Sequence, residues 1–187
     1  ISNQLEEMNI LKLGYEADHT SVSQYHSYRE KLNIELTNTT KLVEGLRIIK
    51  KEEELVQMRE AAKIAEKAFE HILGIIKPGL TEKDLSAELI YQMLKLGASG
   101  SSNDPIVASG SRSALPHGRA STKVIENGDM ITFDFGAVYN GYLSDMTRTV
   151  AVGEPPSELK KIYHVVLETL ELTKEKARPG LSIKEFD

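Results

Sequence analysis

The residues whose types and spacing could do chemistry lie between positions 117 and 145. In the run Met130 to Val150, MITFDFGAVYNGYLSDMTRTV, Asn140-Gly141 is a strong hairpin signal, because a type I′ turn needs positive φ at both central residues. With those two as the turn, Tyr139 pairs with Tyr142 and Asp134 faces Thr147. Asp145 is then diagonal to Asp134, and period-2 alternation puts all three on one sheet face. Diagonal Cβ atoms lie roughly 7–8 Å apart or a little less. At that spacing two carboxylates can converge on a pair of divalent ions about 3.5–4 Å apart. Ile131, Phe133 and Phe135 take the other, core-side face, and Thr132 and Gly136 leave room beside Asp134. Taken alone, the hairpin reads more simply as two solvated acids on a polar face. The low strand preference of Asp weakens that reading a little. His117, between Pro116 and Gly118, is the third candidate. A lone loop histidine is usually a hydrogen-bonded bystander, so its weight depends on the residues that join it.

These residues need elements to position them. Lys50 to Ile76 predicts a long helix, with Leu55, Met58, Ala62, Ala65, Phe69, Ile72 and Ile76 in one apolar stripe. Glu52, Glu53 and Glu54 suit its first turns, and Pro78-Gly79 stops it. Glu82 to Leu96 predicts a second helix, N-capped by Thr81 with Asp84 at N3 and Leu80 stapled to Leu85. Leu85, Leu89 and Met93 face inward, and Gly97 is its C′ residue. The Gly- and Ser-rich stretch 98–122 reads as loop, with a short strand at Pro105 to Ala108; loops beside a rigid scaffold often carry function. After the hairpin, Ser157 is expected to cap a third long helix, about Glu158 to Ala177. Residues 1–45 read as a strand at Leu11 to Glu16, a helix at Thr20 to Leu32 capped by Thr20 or Ser21, and an extended segment at Ile34 to Val43. His19 and His26 lie there without an acid or Cys cluster and read as surface or packing residues.

Composition narrows the function classes. The 187 residues are 40% hydrophobic and 27% charged, ordinary for a globular chain. The net charge of −5 and the lack of a basic run argue against a nucleic-acid partner. No apolar run is long enough to cross a bilayer, so no membrane partner is expected. No signal-peptide pattern is visible, although the chain starts at Ile1 rather than Met. The absence of Cys rules out thiol chemistry and is compatible with the cytoplasm, where the protein is expected. One internal repeat stands out. Pro78-Gly79-Leu80-Thr81 and Pro179-Gly180-Leu181-Ser182 lie 101 positions apart (179 − 78). Each ends a long helix and opens a capped one, with Asp84 and Glu185 at N3 and Leu85 and Phe186 at N4. Two independent joints using common chemistry, or an internal duplication whose second copy begins near the last residue, both account for it.

Taken together, Glu52 to Val152 resembles the first half of the pita-bread metallopeptidases, the family of aminopeptidase P, prolidase and methionine aminopeptidase. The matching segments are IKKEEELVQMREAAKIAEKAF, IKPGLTEKDLSAEL, DPIVASGSRSALPHGRAS and ENGDMITFDFGAVYNGYLSDMTRTVAVG. The hairpin and ALPHG are the most specific, and the resemblance covers about residues 45–187. PIVASGSRSALPHG is closer to the Xaa-Pro branch than to methionine aminopeptidase. Asn103 departs from it, since relatives often have an aromatic residue there. The resemblance implies an α+β fold: half of a pita-bread, an antiparallel sheet with flanking helices, over 46–187. Residues 1–45 would be the tail of a smaller α/β domain and its linker.

For the site, the resemblance implies two divalent ions held by two Asp, one His and two Glu. Asp134 and Asp145 match the two Asp. His117 matches the loop histidine that contacts substrate and stabilises the tetrahedral intermediate. The other His and the two Glu belong to the second half of the fold. The implied reaction is metal-assisted removal of the N-terminal residue from Xaa-Pro peptides or dipeptides. Oxygen-rich ligation suits Mn²⁺, with Co²⁺ or Zn²⁺ as alternatives. The 187-residue chain alone is expected to be inactive. Half a fold leaves a sheet edge and an apolar face open, so the chain is expected to dimerise, aggregate, or be a fragment of a longer product, with a homodimer as the expected assembly. A non-catalytic binding or chaperone module and a creatinase-like or methionine aminopeptidase-like hydrolase are the rival classes; the presence of both Asp and His117 argues against the non-catalytic one, and the two Asp argue against a metal-independent hydrolase of the creatinase kind.

Overall fold

The computed structural model describes residues 2–186. It divides into two compact units, Ile1–Lys51 and Glu52–Asp187. In the first, α1 (Ser2–Glu7) precedes β1 (Lys12–Glu16), α2 (Val22–Lys31) and β2 (Glu35–Thr39). The strands are parallel, pairing Lys12 with Glu35 through Glu16 with Thr39, so α2 is their crossover. Ser21 caps α2 in a reciprocal capping box with Gln24. The extended segment expected to run to Val43 ends at Thr39. Lys41 takes a left-handed conformation, φ +54°, and turns the chain into α3 (Leu42–Arg47).

The second unit opens with α4 (Glu52–Ile75) and α5 (Glu82–Lys95). Small residues decide which face of α4 is buried. Ala61, Ala65 and Ala68 are fully buried with Ile64, Phe69 and Ile72, whereas Leu55 and Met58 from the expected stripe are only half-buried. Alanines let the sheet approach the helix closely. Phe69 then inserts against Phe133 and Phe135, with ring centroids 5.3 and 5.4 Å away. Burying each such ring contributes about 1.5–3 kcal/mol. Thr81 and Asp84 form the expected capping box on α5. Leu85, Leu89 and Met93 are fully buried, and Gly97 takes φ +103° just past the helix.

The strands are β3 (Gly100–Ser101), β4 (Ile106–Ser109), β5 (Met130–Phe135), β6 (Ala137–Tyr139), β7 (Tyr142–Leu143) and β8 (Met146–Ala151). They form two antiparallel sheets, ordered β3-β6-β7 and β4-β5-β8. The stretch read as loop therefore also holds β3, and a 3-10 helix spans Gly110–Ala114. The Asn140-Gly141 turn closes the hairpin with φ of +48° and +82°. Tyr139 pairs with Tyr142, and Asp134 with Thr147. The hairpin is not one continuous ladder: Gly136 and Ser144-Asp145 interrupt it, its turn-side part (β6-β7) belonging to the sheet with β3 and its outer part (β5-β8) to the sheet with β4.

Last come α6 (Ser157–Lys176) and α7 (Ile183–Phe186). Pro156, not Ser157, is the N-cap residue of α6, and it offers no side-chain acceptor. None of the residues of α6 is buried; Ile162, Val165, Val166 and Leu170 stand exposed. The repeated turns share one backbone feature, with φ of +98° at Gly79 and +89° at Gly180. The acid expected at Glu185 lies outside the described side chains. No helix among the described residues is long and apolar enough to cross a membrane.

Candidate functional site

Asp134 sits on β5 between Phe133 and Phe135, both fully buried, so its backbone is fixed by the core behind it. Its side chain is half-buried on the opposite face. Asp145 is exposed and lies in the break between β7 and β8. The outer and inner ladders share one register. Continued through the break, that register sets Asp145 opposite Gly136 and diagonal to Asp134.

Two residues build this break. A Cβ on Gly136 would lie 1.9 Å from the Ser144 carbonyl oxygen and 2.3 Å from Ser102 Oγ, so only glycine fits. Ser144 is buried, and its Oγ accepts the Ala137 N–H at 3.0 Å and donates to the Ala61 carbonyl of α4 at 3.1 Å. The residue before Asp145 is thus bolted to the long helix. At the hairpin tip, Tyr142 Oη donates to Glu54 Oε1 and Asn140 Nδ2 to Gln57 Oε1, each at 2.9 Å.

His117 is exposed, one turn beyond the 3-10 helix. Its segment joins the sheet edge: Arg119 bridges Ile106 of β4, and Ile106 pairs with Asp134 of β5. At about 4.7–4.9 Å per strand, Arg119 and Asp134 backbones are roughly 10 Å apart. Gly118 makes this docking possible, since a Cβ there would meet Ala108 Cβ at 2.9 Å. The fold therefore brings the His117 segment and Asp134 onto one sheet. Among the described residues no three or more His, Cys, Asp or Glu form a group able to hold a metal.

A residue read from the sequence only as the first position of a helix proves central to this region. Glu82 is fully buried. Its Oε1 accepts the Ser109 N–H at 2.7 Å and the Ser109 hydroxyl at 2.9 Å. Its Oε2 accepts the Ser121 N–H at 2.9 Å and the Ser121 hydroxyl at 2.6 Å. Arg112 Nε donates to both oxygens, at 3.3 and 3.1 Å. Burial pushes the Glu82 carboxyl up, but the Ser121 and Ser109 hydrogen bonds outweigh it and hold the pKa below the ordinary value.

Asp134 and Asp145 form the opposite case: among the described residues none donates a hydrogen bond to, or forms an ion pair with, either carboxylate. Two unpaired, anchored oxygen donors on one hairpin fit hard divalent cations, as part of a larger ligand set.

This α+β arrangement matches part of the pita-bread fold of metallopeptidases. The family model for metallopeptidase family M24 matches residues 56–187, and that for the creatinase/prolidase N-terminal domain matches residues 1–49. The chain belongs to metallopeptidase family M24. It is 48% identical over 187 residues to an uncharacterised peptidase of Bacillus subtilis, covering 100% of this chain and 53% of that protein. The structure of an Xaa-Pro dipeptidase from Bacillus anthracis matches with a TM-score of 0.95 and 51% identity, over 100% of this chain and 52% of that one. That of an X-Pro aminopeptidase from Thermotoga maritima matches with a TM-score of 0.94 and 38% identity, over 100% and 53%. The chain thus spans about half the length of these relatives.

Proposed function

We propose that the intact protein containing this chain removes the N-terminal residue from peptides or dipeptides with proline in second position. Asp134 and Asp145 are its two carboxylate ligands here, and His117 is its substrate-contacting residue. The observation that carries this reading is the pair of unpartnered carboxylates on one hairpin, with the His117 segment docked on the same sheet. The names of the relatives supply the substrate class.

Each residue has a task set by its surroundings. Asp134 and Asp145 would hold divalent ions, proposed to be Mn²⁺, which when bound activate water at neutral pH and polarise the substrate carbonyl. His117 would donate a ring N–H to the carbonyl oxygen as it gains charge. Its backbone is set for this: the Arg119 N–H donates to the His117 carbonyl at 2.9 Å, and the Gly118 N–H to the Leu115 carbonyl at 3.1 Å. Action as a homodimer in the cytoplasm belongs to the same proposal. The exposed apolar face of α6 and the absence of Cys are compatible with it.

The test is an Mn²⁺-dependent hydrolysis assay on Xaa-Pro dipeptides and longer Xaa-Pro peptides. The intact protein should cleave one or both sets, with Asp134→Asn as an inactive control and His117→Ala as a crippled one that keeps measurable residual activity. The 187-residue chain alone should not. Full activity in the Asp134→Asn protein would sink the metal assignment. Xaa-Pro cleavage by the purified short chain would sink the expectation that further ligands are needed.

A further inference from the structure

The Gly- and Ser-rich loop that carries His117 meets the sheet edge at Arg119 and Gly118, but its tip has no side-chain anchor among the described residues. Leu115, Pro116 and His117 are all exposed, so no apolar anchor fixes its tip. Its two ends, Ser109 and Ser121, converge instead on the two oxygens of Glu82, each giving a backbone N–H and a hydroxyl. Arg112, inside the loop, carries the grip further. Its Nε donates to Glu82, and its Nη2 donates to the Arg119 carbonyl at 2.8 Å, two residues past His117. Glu82 itself does not move with the loop. It begins α5, which is capped by Thr81 and Asp84 and buried through Leu85, Leu89 and Met93.

We propose that Glu82 is a positioning residue, which clamps both ends of the 109–121 loop and, through Arg112, sets where His117 stands. This rests on His117 being the substrate-contacting residue. The chemistry is that of an outer shell: a buried carboxylate orients the donors that orient the working group. Such partners typically contribute about 10–100-fold to activity. A carboxylate serving stability alone would not act through one histidine.

The experiment uses the intact protein with Mn²⁺ and an Xaa-Pro dipeptide, in a cycle of wild type, Glu82→Gln, His117→Ala and the double variant. Hydrogen exchange across 109–121 and the His117 ring resonances are measured alongside kcat and KM. Glu82→Gln keeps the shape but loses the charge and puts a donor where an acceptor is needed. Loop exchange should rise about tenfold or more, the His117 resonances should shift, and kcat should fall about tenfold with KM little changed. In the His117→Ala background, Glu82→Gln should cause no further loss of kcat. Unchanged loop exchange and ring resonances in Glu82→Gln would overturn the clamp. A kcat loss that persists undiminished without His117 would overturn the claim that Glu82 acts through it. Ser121→Ala leaves the carboxylate in place and removes one donor; it decides the question if Glu82→Gln does not fold, and should shift the same readouts by less. Absence of hydrolysis by the wild type would refute the peptidase reading while the exchange comparison still decides the clamp.

Discussion

Glu82 and Asp134 are carboxylates on regular elements of the same unit, yet their surroundings differ in kind. Glu82 is fully buried and accepts hydrogen bonds from two serines and an arginine. Asp134 is half-buried and receives none from the described residues. Removing a carboxylate from water without a partner is costly. A chain that gives one acid every donor it can use, and leaves another bare on a rigid strand, has separated structure from ligand binding. The first acid is part of the scaffold. Under the proposed function, the second would be left for a ligand from outside the chain.

The largest expected effect breaks the comparison at its buried end. Glu82→Ala leaves Arg112 Nε and four serine donors without their acceptor and should lower stability by about 3–5 kcal/mol, read by chemical denaturation. Asp134→Asn should change stability by no more than about 0.5 kcal/mol while abolishing activity and metal binding. Equal destabilisation by the two would erase the distinction. Gly136→Ala comes next, at about 1–3 kcal/mol or more, because its Cβ would collide with backbone. A displaced Asp145 should also weaken Mn²⁺ binding, measurable by calorimetry. Thr81→Ala removes the cap that starts α5 and should cost about 1 kcal/mol.

Acidity sharpens the contrast with a defined sign. The Glu82 pKa is lowered in the folded state, from an ordinary value of 4.5. Its contribution is therefore fully present above that value and is lost as pH falls through the folded pKa. Stability of the wild type should drop in this acid window more steeply than that of Glu82→Gln. Parallel curves from pH 6 down to about pH 3 would show that Glu82 is not the group responsible.

The same contrast marks what could be read in advance. Local signals were legible because their causes are local. Asn140-Gly141 fixed the turn and with it the pairing of Asp134 with Thr147; Thr81 and Asp84 announced their capping box. The resemblance in ALPHG and the hairpin pointed to His117, Asp134 and Asp145. The role of Glu82 was hidden, because its partners lie 27 to 39 positions away in a loop with no periodicity. Ser109, Arg112 and Ser121, polar residues within and at the ends of that loop, were the available hint. The break at Gly136 was equally hidden, since the oxygen that excludes a side chain there arrives from across the hairpin. In α4, the alternation of large apolar residues suggested one inner face, and close approach of the sheet selected the alanines beside it.

The Ser144 hydroxyl that reaches the Ala61 carbonyl spans 83 positions of chain, and that has a consequence for how the protein is made. The outer hairpin closes over a short loop and can form early, whereas a contact of this separation waits until α4 is in place. Asp134 should thus acquire its strand before Asp145 acquires its anchor, and a folding intermediate would carry one carboxylate in register and the other adrift. Kinetic φ-values near 1 at the turn and near 0 for Ser144→Ala would record it; the reverse order would refute it.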